Sequence, residues 1–241
     1  MESLLVILGF VVFIHLLLAV PMLLQPRLVP FEAGGRRWAW AVADVTWLHD
    51  WAKQNEFSFL GYYIGKIGFQ AAFMAVWRRS DRPTFLCHYL VREQHRANRV
   101  SEIDTEFAFG ISLSTANSID AQLHPKPPGC YHQTFSKINM DEQWYRHIEA
   151  ENYLIDKGEA QLVTTEESFE DLFLRSEQKQ RKFVRSITFW PFLIFYWYFV
   201  RKRLWHNKSI RELHERSMIK LPKEFVASGP ANGSFAGKRS F

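Results

Sequence analysis

Two groups of residues carry side chains that can transfer protons. Asp44, His49 and Asp50 lie close together in the sequence, and an imidazole beside carboxylates is a common acid–base combination. Nothing near them supplies a nucleophile, so we predict no catalytic residue here. His88 and Glu93 are the nearest match to the His and Asp that an acyltransferase needs, but Glu stands where Asp is required. A membrane-anchored transferase is therefore kept only as an alternative function.

Four potential metal ligands, Cys87, His88, Cys130 and His132, occur in two short pairs. Structural zinc sites place their ligands at a characteristic spacing, which neither pair follows. We predict no metal site and, because the chain has no glycine-rich phosphate loop, no nucleotide cofactor. A disulfide between Cys87 and Cys130 is left open, and two free thiols are the favoured state.

Cations stand beside aromatic residues at three places in the chain. This composition is typical of anchors at a membrane surface, with rings at headgroup level and cations on lipid phosphates. We predict that these residues bind anionic phospholipid, with cardiolipin as one candidate, and we predict no other cofactor. An ordinary surface turn is the alternative at the first place. The predicted lipid-binding residues are Arg36, Arg37, Trp38, Arg78, Arg79, Arg201, Lys202 and Arg203.

The element that must position these anchors is the apolar stretch from Ser3 to Leu24. It contains no charged residue, and a helix of that length covers about 30 Å, the thickness of a bilayer core. The stretch lacks the basic start of a secretory signal, and its apolar run is too long for one. The sequence therefore predicts a transmembrane helix that is retained in the mature chain.

A second membrane helix is predicted from Phe57 to Trp77. Gly61, Gly65 and Gly68 have the spacing that lets two helices approach closely in lipid, so we assign them to helix packing. Lys66 counts against a span, because a charge at mid-bilayer costs roughly 2.5–3.5 kcal/mol. The alternative is a buried helix of an extramembrane part.

A third candidate is the aromatic run from Ser186 to Val200, which is flanked by basic residues on both sides. As a helix it would cover only about 22 Å. It is interpreted either as a short span or as a helix that lies in the interface or on another subunit. Pro191 is expected to kink it.

The rest of the chain is predicted to be mostly helical, with an amphipathic helix over Thr84–Val100, a capped helix over Asp141–Lys157 and another opened by Thr164–Glu167. The complete fold prediction is a mainly α, integral membrane protein. Its predicted divisions are an N-terminal transmembrane helix at 1–25, an interfacial segment at 26–56, a second membrane helix at 57–77, an extramembrane helical region at 78–185 with an irregular loop at 101–135, a short aromatic membrane or interfacial helix at 186–200, a basic polar helix at 201–220 and an extended tail at 221–241.

The composition points to partners rather than to chemistry. The net charge of +5 favours an acidic partner, and an aromatic content of 16% suits a membrane interface. Nucleic acid is an unlikely partner because no nucleic-acid-binding motif accompanies the charge. We therefore predict a non-catalytic accessory subunit that braces its neighbours in a large membrane complex and binds lipid. The predicted location is the mitochondrial inner membrane, in a respiratory-chain complex or ATP synthase. A translocon or tether component is a further alternative.

Overall fold

The structure is a computed structural model that describes residues 9–10, 12–13, 23–32, 38–67, 70–93, 96–163 and 167–227. These residues form a seven-stranded sheet with helices on both faces. The strands lie in chain order, and every neighbouring pair is antiparallel except the last, which is parallel. In order they are β1 Arg27–Phe31, β2 Phe57–Ile67, β3 Gln70–Arg79, β4 Thr84–Glu93, β5 Arg96–Glu106, β6 Ser112–Ala116 and β7 Cys130–Thr134.

The helices are α1 Ala39–Asp44, α2 Thr46–Gln54, α3 Met140–Gly158, α4 Phe169–Ser186, α5 Trp190–Tyr196, α6 Lys202–Trp205, α7 Ile210–Glu215 and α8 Pro222–Ala227. A π-helical turn, Trp197–Arg201, joins α5 to α6 without a break. Asn139 caps α3 by accepting from the amide of Glu142, and Ser209 with Glu212 forms a capping box on α7. The sequence suggests Asn139 or Asp141 as the cap of α3 and Asn207 or Ser209 as that of α7, and the structure selects Asn139 and Ser209. The cap predicted for α4 within Thr164–Glu167 is wrong, because Ser168 caps that helix.

Two separate apolar layers cover the sheet. On one face α1, α2 and α3 enclose a core that includes Leu48, Phe73 and Trp77. On the other face Phe169 and Leu172 of α4 pack on a second cluster. Both faces of β3 are buried from Ala72 to Trp77, and this strand is accordingly apolar on both sides.

The helix predicted over 57–77 is wrong, because the segment forms the antiparallel hairpin of β2 and β3. Gly61 and Gly65 therefore lie in a strand, whereas Gly68 falls outside the described residues. Gly61 has a φ of +155° beside a shift in strand register, and a Cβ on Gly65 would meet the Met74 sulfur at 3.0 Å. Their small size serves the hairpin rather than helix packing.

The helix predicted over Thr84–Val100 is also wrong, since this segment forms β4 and the first half of β5. The irregular loop predicted at 101–135 contains the rest of β5 together with β6 and β7. Between β5 and β6, Ala108–Gly110 forms a 3-10 turn.

No single helix in the part of the chain that the structure describes is long and apolar enough to cross a bilayer. Helix α4 and the continuous helix Trp190–Trp205 have the length and apolar character only as a pair, and they meet at a bend of 109°. This finding and the seven-stranded sheet overturn the predicted mainly α, integral membrane fold and the membrane localisation drawn from it. The Ser3–Leu24 prediction falls almost entirely outside the described residues, as does the tail beyond residue 227.

Both edges of the sheet are short. β1 contains Pro30, which has no amide hydrogen to donate to a further strand. Beside β7, the amide of Asn207 donates to the carbonyl of Thr134, and the amide of Ile210 donates to the side chain of Gln133. The segment that begins at Asn207 thus covers the outer edge of β7.

A buried polar seam, formed by Thr105, Thr115, Gln143, His147 and Glu151, fastens α3 to β5 and β6. The two nitrogens of His147 lie 2.8 Å from the hydroxyl of Thr105 and 2.9 Å from that of Thr115. The Gln143 amide donates to the carbonyls of Ser101 and Thr115. Since a buried polar group is costly without a partner, the seam fixes where α3 lies along the strands.

The seam makes folding stability sensitive to acid. Burial and the nearby Arg82 lower the pKa of His147 to about 3. Below pH 6.5 this histidine therefore becomes protonated in the unfolded chain while it stays neutral in the folded chain. Folding stability then falls by about 2 kcal/mol between pH 6.5 and pH 5. We expect the stability advantage of the native protein over His147→Gln to shrink by that amount, as measured by urea unfolding at pH 7 and pH 5.

The control is Gln178→Ala, an exposed change on α4 whose effect is expected to be the same at both pH values. A pH-independent difference between the native protein and His147→Gln would contradict the role given to this histidine.

Candidate functional site

The structure disperses the residues predicted to bind lipid. Arg36 and Arg37 fall outside the described residues, and Trp38 is buried in the core that α1, α2 and α3 enclose. Arg79 is buried, pairs with Asp81 at 2.6 Å and lies over the Trp144 ring at 5.3 Å. Arg79 therefore has a structural role at the end of β3.

The predicted lipid-binding cations after α5 also lie in different environments. Lys202 is buried over the Tyr198 ring at 3.7 Å, and burial lowers its pKa. Arg201 lies over the Trp205 ring at 5.6 Å, whereas Arg203 is exposed. Arg78 lies over the Phe85 ring at 5.5 Å. Lipid binding by these residues stays a prediction.

Asp44, His49 and Asp50 do not converge on a common site. Asp44 receives two hydrogen bonds from Arg99. His49 instead accepts from the Trp77 indole at 3.3 Å, and burial lowers its pKa. An imidazole held this way packs against rings rather than serving a neighbouring carboxylate.

The polar seam combines a carboxylate, an imidazole and a hydroxyl, which together resemble a catalytic set. Glu151 lies 3.2 Å from the hydroxyl of Thr105, next to His147. However, Thr105 and His147 are 0% exposed, so no substrate can reach them. His88, from the suggested acyltransferase pattern, is likewise buried in β4 and lies 2.8 Å from the Ser101 hydroxyl.

Cys87 and Cys130 are both free thiols. They lie on β4 and β7, and three strand spacings separate them by about 14 Å or more. A disulfide requires Cα atoms roughly 4.4–6.8 Å apart, which decides the question that the sequence left open. Among the described residues, no cluster of His, Cys, Asp and Glu has the geometry to hold a metal ion.

What the sequence analysis missed is an acidic cavity between the sheet and α4. It has a volume of about 110 Å³ and is lined by Tyr89 of β4, Glu102, Asp104 and Glu106 of β5, Ser114 of β6 and Lys126. Phe169 and Phe173 of α4 add aromatic walls. This volume well exceeds the ~10–15 Å³ needed for one water molecule, so a small ligand can fit.

The carboxylates of the acidic cavity arise from strand periodicity. Glu102, Asp104 and Glu106 alternate with residues that face α3, so all three project to the same side of β5. Burial raises the pKa of Asp104 well above its usual range, and the neighbouring Glu102 raises it further, while Lys126 opposes both. Burial also raises the pKa of Glu106. Carboxyls packed this closely disfavour their own ionised forms.

His132 on β7 lies beside this cavity. Its Nδ1 is 3.6 Å from Glu102 Oε1, and its ring is 2% exposed. In the described part of the chain neither ring nitrogen has a hydrogen-bond partner. Burial and the charge of Lys126 lower the pKa of His132 well below its usual range, so the ring is neutral and keeps an unshared lone pair.

A contact between a loop and α4 forms part of the cavity wall. Gln180 accepts from Lys126 at 3.4 Å and donates to the carbonyls of His124 and Pro125 at 3.4 Å. This loop is the crossover that joins the parallel strands β6 and β7. Its position therefore follows from the sheet topology.

The second candidate site is the exposed side of the continuous helix Trp190–Trp205. Ile194 and Trp197 face inward and are buried. Phe189, Tyr196, Val200 and Leu204 face outward, with Phe189 75% and Leu204 52% exposed. We call these four residues the outer face. Exposed Lys182, Arg185 and Arg203 flank it in the sequence.

Comparison of the chain with models of protein families, with curated proteins and with solved structures finds no match. The function must therefore be argued from the geometry of these two sites.

The sequence did contain a signal for the acidic cavity. From Ser101 to Glu106 every second residue is acidic, which is the period of a strand with one polar face. By contrast, the contributions of Lys126, His132 and α4 depend on the sheet order and could not be read locally.

We expect Asp104→Asn to stabilise the protein at pH 7. The folded-state pKa of Asp104 is raised, so stability is lost as pH rises above the unfolded value near 4. Removing the charge should increase the free energy of unfolding by about 1 kcal/mol or more at pH 7, with little gain near pH 4. Urea unfolding at both pH values measures this.

Asp50→Asn, at an exposed position of α2, is the matched control and should change stability by less than about 0.5 kcal/mol. Destabilisation by Asp104→Asn at pH 7 would show that the ionised carboxylate is favourable in the fold.

Proposed function

We propose that this protein is a non-catalytic subunit of a multi-protein assembly. Its outer face binds another protein, and the surface of that partner is apolar and bordered by carboxylates. The observation that carries this proposal is an apolar helix side left exposed while the opposite side is packed. The subunit role follows the expectation from the sequence. The respiratory-chain and ATP synthase assignments depended on the membrane localisation and are not carried forward.

The make-up of this surface supports a protein partner. Large exposed apolar patches mark interaction sites on proteins. Protein interfaces combine aromatic residues and arginine, with apolar groups at the centre and charge at the rim. Phe189 and Tyr196 supply the rings, and Arg185 and Arg203 supply the flanking charges.

The anchoring of the helix also favours recognition. Trp197 is buried and donates through its indole to the carbonyl of Gln122 at 3.2 Å. Lys202 is buried 3.8 Å from Asp120. These contacts hold the helix in place before binding, which lowers the entropy that association must overcome.

The charges define the partner. Lys182 and Arg185 precede the outer face in the sequence and Arg203 lies beside its last residue, and all three are exposed cations. A partner with carboxylates at matching positions would be attracted, and a basic partner would be repelled. The net charge of +5 likewise favours an acidic partner.

The experiment is photo-crosslinking in cells that express the full chain. A photoreactive phenylalanine replaces Tyr196 or, as a control, Tyr145, an exposed ring on α3. We expect a specific protein adduct from position 196 and none from position 145. Mass spectrometry should identify a partner whose crosslinked surface is apolar and bordered by Asp or Glu.

Charge reversal tests the chemistry of the interface. Arg185→Glu combined with Arg203→Glu should reduce the adduct several-fold, whereas Lys53→Glu on α2 should leave it unchanged. Circular dichroism verifies that each variant is folded. An adduct with phospholipid alone, with a second copy of the chain, or equally from position 145 would overturn the proposal.

A further inference from the structure

The acidic cavity holds several hydrogen-bond acceptors that are poorly satisfied. In their ionised forms the three carboxylates of β5 accept only, and one nitrogen of the neutral His132 ring keeps a lone pair. The nearby hydroxyl of Ser114 already donates to Glu102. The cavity therefore calls for a ligand that supplies donors and positive charge.

The cations of the protein itself meet this demand only in part. Lys126 is the cation lining the cavity within the described chain, and its nearest bond is the 3.4 Å contact with Gln180. On α4, Arg175 pairs with Glu167 at 2.6 Å, and Lys179 donates to the carbonyl of Gly110 at 2.6 Å. Both of these helix cations oppose the rise in the pKa of Glu106, but their hydrogen bonds are made to groups outside the cavity.

The shape and the walls favour an organic cation. Alternate residues of a strand repeat at about 7 Å, so adjacent carboxylates of β5 suit two ammonium groups on one short chain. Phe169, Phe173 and Tyr89 line the cavity, and aromatic rings attract ammonium ions. A diamine can place its charges on the carboxylates and its methylenes on the rings.

We propose that the acidic cavity binds a small aliphatic diamine, with one ammonium group held by Asp104 and Glu102 beside His132 and the other directed towards Glu106. Charge-assisted hydrogen bonds from ammonium to carboxylate are stronger than neutral ones. A bound cation also relieves the repulsion among the three carboxylates. This inference does not depend on the outer face or on the proposed partner.

The test is titration calorimetry on the full chain at constant ionic strength. Putrescine is the probe, butylamine carries one ammonium group, and butanediol carries none. We expect putrescine to bind most tightly, butylamine about tenfold more weakly or worse, and butanediol not at all. Equal binding of all three would mean an apolar pocket, and no heat with millimolar putrescine would mean no diamine site; either result overturns the proposal.

Two cavity variants and one control separate binding from folding. Asp104→Asn should weaken putrescine about tenfold or more while the apoprotein stays folded. Lys126→Met removes the internal cation and should strengthen binding. Glu149→Gln, on α3 away from the cavity, should leave it unchanged. Unchanged affinity in Asp104→Asn, or weaker binding in Lys126→Met, would contradict the assigned site.

Discussion

The alternation of side chains along β5, which directs one set of polar groups towards α3 and another towards α4, is the constraint on which the packing of both sheet faces depends. Ser101, Ile103 and Thr105 face α3, whereas the residues between them face α4. A shift of one residue in register would exchange the two faces. The carboxylates would then meet the hydroxyl-rich seam and the apolar side of α3. Such a shift is strongly disfavoured, because each face is matched to a different neighbour.

The polar groups on the two faces of β5 differ in how well their neighbours compensate them. On the α3 side both nitrogens of His147 are paired with hydroxyls, and the Gln143 amide reaches two carbonyls. On the α4 side burial raises the pKa values of Asp104 and Glu106 in spite of the nearby cations Lys126, Arg175 and Lys179. Proteins concentrate such locally unfavourable groups where they bind or react. This asymmetry is why the cavity, rather than the seam, is the candidate for small-molecule recognition.

Sequence reasoning succeeded where local signals were sufficient. Asn139, Ser209 and Glu212 are capping residues whose effect depends only on neighbouring amides. It failed over 57–77 because β3 is buried on both faces and the exposed positions of β2 include Phe59 and Leu60, so the segment shows little polar alternation. A continuous apolar run does not by itself distinguish a buried strand from a helix. The repeated rings and the interrupting Lys66 were the available evidence for strands.

The remaining failures concern long-range order. Arg92, Arg96 and Arg99 have the spacing of one helix face, yet Arg92 lies on β4 and the other two lie on β5. The acidic cavity combines three strands, a helix and the crossover loop, and no local pattern specifies that combination. Similarly, the 109° bend between α4 and α5 separates two segments that hydropathy alone joins.

The two short edges of the sheet have a consequence for how this protein can evolve. Pro30 at one edge and the chain from Asn207 at the other disfavour the addition of a foreign strand. Backbone-mediated contacts, which tolerate many partner sequences, are thereby discouraged, and so is edge-to-edge aggregation. Selectivity then resides in side chains, where single substitutions can redirect it while the scaffold persists.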